Sequence, residues 1–185
     1  MRTAPMPTII RWNDHPEPSS AGADMADIFF EASGRVFAQG PERDAFFERW
    51  LGRYLAHDAT HVWLALDDAH DVIGYLAGAL DDPARAPRFA DIAYFQTWAD
   101  FTARYPAHLH INLRPAARGA GVGQRLVEAF CEQAAAADAP GVHVVTGAGA
   151  RNAGFYRRCG FEQVAAGAWN GHDIVMLAKR LSKSA

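Results

Sequence analysis

The chain has 185 residues, half of them hydrophobic and 21% charged, with a formal net charge of −3 and a pI near 6.2. A domain of this size buries roughly 70% of the surface its unfolded chain exposes, so a core can form without disulfides or structural metal. The composition excludes disorder, and Lys and Arg scattered without a basic run leave no electrostatic footprint for nucleic acid.

Two cysteines, Cys131 and Cys159, without a disulfide-dense pattern point to a reducing compartment. Met1 to Trp12 holds Arg2, Pro5 and Pro7 but no sustained apolar stretch, so it reads as neither secretory signal nor membrane anchor. The other apolar segments are too short to span a bilayer. The expectation is a cytoplasmic protein with no membrane partner.

In chain order, Thr8 to Arg11 is β-like, and Pro16, Pro18, Ser19 and Ser20 mark a loop. Met25, Ile28, Phe29, Ala32 and Val36 recur at helical spacing and predict a helix over Ala23 to Ala38. A second helix follows Gly40-Pro41, with Phe46, Phe47, Trp50, Leu51 and Tyr54 on its apolar face and Pro41 in its first turn. His61 to Leu66 and Val72 to Leu80 read as an antiparallel hairpin around Asp67, Asp68 and Asp71. Ile92, Tyr94, Phe95, Trp98, Phe101 and Tyr105 predict one aromatic helix over Ala90 to Tyr105. His108 to Leu113 is a strand, and a glycine-rich turn then leads into an alanine-rich helix over Val122 to Ala137. Val142 to Thr146 is a strand, and Ala153 to Cys159 a short helix. Phe161 to Ala165 and Asp173 to Ala178 are closing strands around a Gly167 to Gly171 loop. The order predicts a mixed α/β (α+β) domain with a largely antiparallel central sheet flanked by helices.

The informative stretch is HLHINLRPAARGAGVGQRL, His108 to Leu126. A strand runs into Arg118-Gly119-Ala120-Gly121-Val122-Gly123-Gln124, and a helix begins at once. Glycines at 119, 121 and 123 open backbone torsions closed to other residues and let a bulky anion approach the main chain. Donors without intrahelical partners and the helix dipole make pyrophosphate a natural ligand. Two competing loops fail: the Walker pattern needs Gly-Lys before Ser or Thr, and the dinucleotide fingerprint needs Gly-x-Gly-x-x-Gly. A ligand-free glycine loop is the bland alternative.

The spacing R-x-x-G-x-G, as Arg118, Gly121 and Gly123, resembles the acetyl-CoA signature of the GNAT acetyltransferase superfamily. Gly154-Phe155-Tyr156-Arg157-Arg158-Cys159-Gly160-Phe161 is similar to the family's late helix, and the two segments stand in the family's order and distance. The similarity covers Ala107 onward. More narrowly, the stretch resembles the acetyltransferase-like domain of eukaryotic O-GlcNAc hydrolases and its free-standing bacterial relatives. The domain attached to the hydrolase is regarded as a pseudo-enzyme, whereas this chain keeps the glycine turn.

The resemblance implies a GNAT-type acyl-CoA acyltransferase fold in one domain over 1–185. An N-terminal strand and helices would fill 1–60, and a cofactor-binding and C-terminal part 107–185. It implies acetyl-CoA as cofactor and direct attack by an amine acceptor. Ile111, Asn112 and Leu113 would pair with the pantetheine arm, and Val142 to Val145 would be the separating strand. An N–H near Leu113 would polarise the thioester oxygen, and Arg118, Gly119, Ala120, Gly121, Val122, Gly123 and Gln124 would hold the pyrophosphate. Tyr156 matches the family tyrosine that protonates the departing thiolate; a packing role is the alternative.

Where the family often has a cofactor-contacting asparagine, seven positions before the tyrosine, this chain has Gly149. Asn152 is then either a helix N-cap or a cofactor contact. For the base, His108 and His110 alternate on one strand face with Asn112, opposite Leu109, Ile111 and Leu113. His110 is the candidate that would relay the ammonium proton, against exposed or capped histidines, with Asp81 and Asp82 as alternatives. His-x-His without a third ligand gives no metal site. The aromatic helix would roof the acceptor, with Trp169 and His172 as the opposite wall. A monomer or homodimer is expected. The competing reading is a non-catalytic acetyl-CoA-binding or protein-interaction module.

Overall fold

The computed structural model describes residues 6–182. Seven strands form one sheet in the order β1-β2-β3-β4-β5-β7-β6, from β1 (Thr8–Arg11), β2 (Val62–Leu66), β3 (Val72–Ala79), β4 (Ala107–Leu113), β5 (Gly141–Gly147), β6 (Glu162–Trp169) and β7 (His172–Arg180). The pairs β1–β2, β2–β3, β5–β7 and β6–β7 are antiparallel, and β4–β5 is parallel. The mixed, largely antiparallel sheet read from the sequence is therefore present. Contacts group the chain into two compact units.

The first unit runs to Gly78 and takes in His110–Phe130. Its first helix, α1 (Pro18–Ser33), starts earlier than the hydrophobic spacing predicts. Pro18 occupies the first helical position, where a missing N–H costs nothing, so the proline–serine segment opens a helix instead of forming a loop. Gly34, at φ 63°, ends it before Val36. After α2 (Pro41–Phe47) the helix widens to a π-turn over Glu48–Gly52 and resumes as α3 (Arg53–His57). Met25, Ile28, Leu51, Leu64, Leu76 and Leu126 are buried, the last on α6 (Val122–Ala136). In the β2–β3 turn, an Asp67 carboxylate oxygen accepts the N–H groups of Ala69 and Asp71 at 2.9 and 3.0 Å.

The second unit holds Ala79–Leu109 and the chain from Cys131. The aromatic stretch is not the single helix expected. It breaks into a 3-10 turn (Pro87–Phe89), α4 (Ala93–Thr97) and α5 (Ala99–Thr102), with Trp98 out of the helical region at ψ 27°. Its rings serve different neighbours: Phe95 packs on His108 and His143, and Tyr94 on Trp169. Gly167 lies against the Trp98 ring. The final hairpin is longer than predicted. Trp169 pairs with His172, and the link is Asn170-Gly171 at φ 50° and 76°, the left-handed pair that tight hairpins need. Among the described residues, no helix is long and apolar enough to cross a membrane.

Candidate functional site

In the first unit, Ile111, Asn112 and Leu113 close β4 half-buried. Gly74 on β3 makes room for Leu113: a Cβ there would collide with the leucine side chain. The Arg114 N–H donates to the Ile73 carbonyl at 2.9 Å, tying the end of β4 to β3. Arg118 folds back on the strand, its Nε and Nη2 donating to the Leu113 carbonyl at 3.3 and 3.1 Å.

The turn that follows is shaped by two glycines. Gly119 and Gly121 stand at φ 80° and 79°, a region that costs other residues about 1–2 kcal/mol. Nothing lies within 4 Å of where a Cβ would stand at either, so backbone shape and not crowding demands glycine there. Gly123 differs from the expectation of three torsional glycines: it lies buried inside α6 without a left-handed torsion. From Gly119 to Gln124, no N–H donates to a backbone carbonyl among the described residues, and the ladder begins with Arg125 onto Gly121. Gly119, Ala120, Gly121 and Gln124 are exposed, and Val122 is buried. The Gln124 side chain lies along the helix, donating to Glu128 at 2.8 Å. Main-chain donors at the positive end of a 15-residue helix fit a pyrophosphate.

His110 stands on β4 between two phenol rings, edge-on to Tyr54 at 5.1 Å and to Tyr75 at 6.0 Å between centroids. Its Nε2 is enclosed without a hydrogen-bond partner among the described residues. Burial pushes its pKa down to about 4, so the ring is neutral at neutral pH. Asn112, on the same strand face, donates to the Tyr75 hydroxyl at 2.8 Å.

In the second unit His108 is 3% exposed, packed on Phe89, Phe95 and His143. His108 is therefore buried and not exposed, because aromatic side chains cover the face that alternation leaves polar. Asp81 is engaged by Arg88 at 2.6 Å, and Asp82 accepts the Ala84 N–H at 3.0 Å, a turn-solvating role.

Tyr156 lies on α7 (Arg151–Arg158), 4% exposed, its ring against Phe155 at 5.1 Å and Phe161 at 5.6 Å. Burial first, and Cys159 second, raise its pKa well above the usual phenol range, so the hydroxyl stays protonated. Asn152 is not the N-cap. Ala150 holds that position without a side-chain cap, and the Asn152 Oδ1 accepts from the Thr146 hydroxyl at 2.7 Å. An open groove of ≈ 820 Å³ lies along α7 and the β6–β7 hairpin, lined by Ala153, Arg157, Gln163, Ala166 and Asp173 among others. Sequence reasoning missed this groove, and it missed Tyr54 and Tyr75, which read only as members of apolar patterns.

A strand that turns through open glycines into a helix, within a mixed seven-strand sheet, defines an acyl-CoA acyltransferase fold. Residues 58–163, more than half of the chain, match the model of the acetyltransferase (GNAT) domain family, and the chain belongs to that family. Among solved structures it is similar to SsHAT, at 22% identity and a TM-score of 0.73 over 96% of this chain and 100% of that one. A GNAT superfamily phosphinothricin acetyltransferase from Sinorhizobium meliloti, solved with acetyl-CoA, matches at 18% identity and a TM-score of 0.62, over 96% and 89% of the two chains. Naa20 of Chaetomium thermophilum, in complex with a bisubstrate analogue, matches at 21% and 0.59, over 94% and 86%. At these identities the likeness is one of fold.

Proposed function

We propose that this chain, acting as one domain, is an acetyl-CoA-dependent N-acetyltransferase that lets an amine attack the acetyl thioester directly. The observation that carries the reading is the run of N–H groups from Gly119 to Gln124, which have no backbone acceptor among the described residues and stand at the start of α6. Acetyl-CoA, the family's cosubstrate, would supply the thioester. Arg118 to Gln124 would hold its pyrophosphate, and Ile111, Asn112 and Leu113 would pair with the pantetheine arm. Support comes from β4, whose parallel register with β5 is found at Ala107↔Val142 and His108↔His143, upstream of Ile111.

His110, neutral at working pH and with an Nε2 that is enclosed and unpartnered among the described residues, would take a proton that the acceptor ammonium must lose. Tyr156, kept protonated by burial, would deliver a proton to the departing thiolate. The nitrogen loses two protons in passing from ammonium to amide: His110 would take the first before attack, and the second would replace the proton that Tyr156 gives to the sulfur. Asn152 would contribute a cofactor contact by exchanging its bond to Thr146. The same bond favours the second reading, a non-catalytic acetyl-CoA-binding or protein-interaction module, because it leaves Asn152 already satisfied. A thiol-release assay across small amines, peptides and protein lysines separates the two. Acetyl-CoA-dependent release with one class of amine is expected; silence across all classes, alongside intact cofactor binding, would favour the module.

A further inference from the structure

In an α-helix, residues five apart lie ~140° apart around the axis and do not meet. Glu48 and Arg53 are five apart, yet they form a bidentate pair, with Arg53 Nε and Nη2 donating to the two carboxylate oxygens at 3.1 and 2.7 Å. They meet because the helix is widened between them, where the Arg53 N–H reaches back five residues to the Glu48 carbonyl. A second five-residue pair stands beside it: Gly52 lies under the Phe47 ring, where a Cβ would come within 3.3 Å of two ring carbons. The guanidinium is 5% exposed and the carboxylate reaches solvent, so the pair spans the wall of the helix.

The widened turn has a directional consequence. One extra residue in a turn rotates everything after it by about 100° relative to the preceding helix. The residue after Arg53 is Tyr54, whose buried ring stands edge-on to His110. We propose that the Glu48–Arg53 pair is a clamp on the π-turn that seats Tyr54 against His110, making Glu48 and Arg53 positioning residues for the acceptor side of the reaction. This rests on the reading of His110 as the proton acceptor. Among the described residues, the rings set against His110 are those of Tyr54 from α3 and Tyr75 from β3, and the Tyr75 hydroxyl accepts from Asn112. Enclosure by these rings, and not an ion pair, sets how readily His110 takes a proton. Releasing Tyr54 admits water and makes protonation easier.

The test is an imidazole proton–nitrogen NMR titration of the full chain between about pH 5 and pH 8, with melting temperature measured alongside. In the wild type, His110 should remain a neutral tautomer across most of the range. Glu48→Gln should raise its midpoint by about one pH unit or more, and Tyr54→Leu should reproduce the shift. Arg53→Lys, which keeps the charge but loses the fork, should shift it less and serves if Glu48→Gln does not fold. A Glu48→Gln or Arg53→Lys protein that melts lower but titrates like the wild type would overturn the proposal, leaving the pair a stabilising bridge only. Failure of the underlying reading looks different: His110→Gln would leave acetyl transfer to the screened amine unchanged, whatever the titrations show.

Discussion

His108 and His143 are register partners on the adjacent strands β4 and β5, and their rings stack with centroids 5.5 Å and planes 25° apart. His143 is fully buried, with its Nδ1 2.5 Å from the Tyr105 carbonyl, which makes Nδ1 the protonated nitrogen and leaves Nε2 enclosed. Burial outweighs the opposing pull of the Tyr105 carbonyl and Asp82, and pushes the His143 pKa down to about 4.

Stability should therefore fall in acid. Between about pH 6.5 and about pH 4 the unfolded chain takes up a proton that folded His143 refuses, so stability declines as pH falls through that window and levels off below it. The size is about 3 kcal/mol for His143, with His110 adding a similar amount, against a total of roughly 5–15 kcal/mol for a domain. Urea unfolding at a series of pH values measures it. His143→Leu should roughly halve the dependence, leaving the His110 share, and an unchanged slope would contradict the assignment.

Tyr156→Phe should lower turnover by ~10²-fold or more with the melting temperature little changed, because the ring packing on Phe155 and Phe161 survives. Since burial keeps the phenol protonated, the wild-type rate should show no alkaline fall due to Tyr156 up to its ordinary phenol range. A wild-type rate in Tyr156→Phe would remove the hydroxyl from the mechanism.

Gly121→Ala should cost about 1–2 kcal/mol of stability, the expense of a left-handed torsion in a residue with Cβ and no clash to relieve. Acetyl-CoA affinity should drop further, about tenfold or more, as the turn relaxes and its N–H groups lose their aim. Urea unfolding and calorimetry on one preparation separate the two effects.

Gly74→Val should be more damaging than its size suggests. The new side chain would collide with Leu113, and overpacking of this kind costs roughly 1–3 kcal/mol. Because Leu113 also carries the carbonyl that receives Arg118, the turn should be disturbed too, and acetyl-CoA affinity should fall with stability. A variant that loses stability but binds cofactor normally would separate β3 packing from the turn.

The strand–glycine turn–helix unit was legible in the sequence because its cause is local. Gly119 and Gly121 need no distant partner to adopt their torsions. The faces of β4 were not, because alternation marks His108, His110 and Asn112 as polar without saying what covers them. The rings that do so come from remote segments: Phe89 and Phe95 for His108, and Tyr54 and Tyr75 for His110. The aromatic stretch misled for the same reason. Its spacing suits one helix, but Tyr94, Phe95 and Trp98 each answer to a different neighbour, and the backbone breaks to serve them. The Asn170-Gly171 link carried a recognisable hairpin signal, obscured by the small residues Gly167 and Ala168, which read as loop with it. The π-turn had no local sequence signal; only the five-residue pairing of Glu48 with Arg53 exposes it.

Calorimetric titration of acetyl-CoA into the wild-type chain bears most directly on all of this. The account predicts one site of micromolar affinity, weakened by rising salt because pyrophosphate charge is being met by main-chain donors and the α6 dipole. Absence of any binding heat at millimolar acetyl-CoA would contradict it.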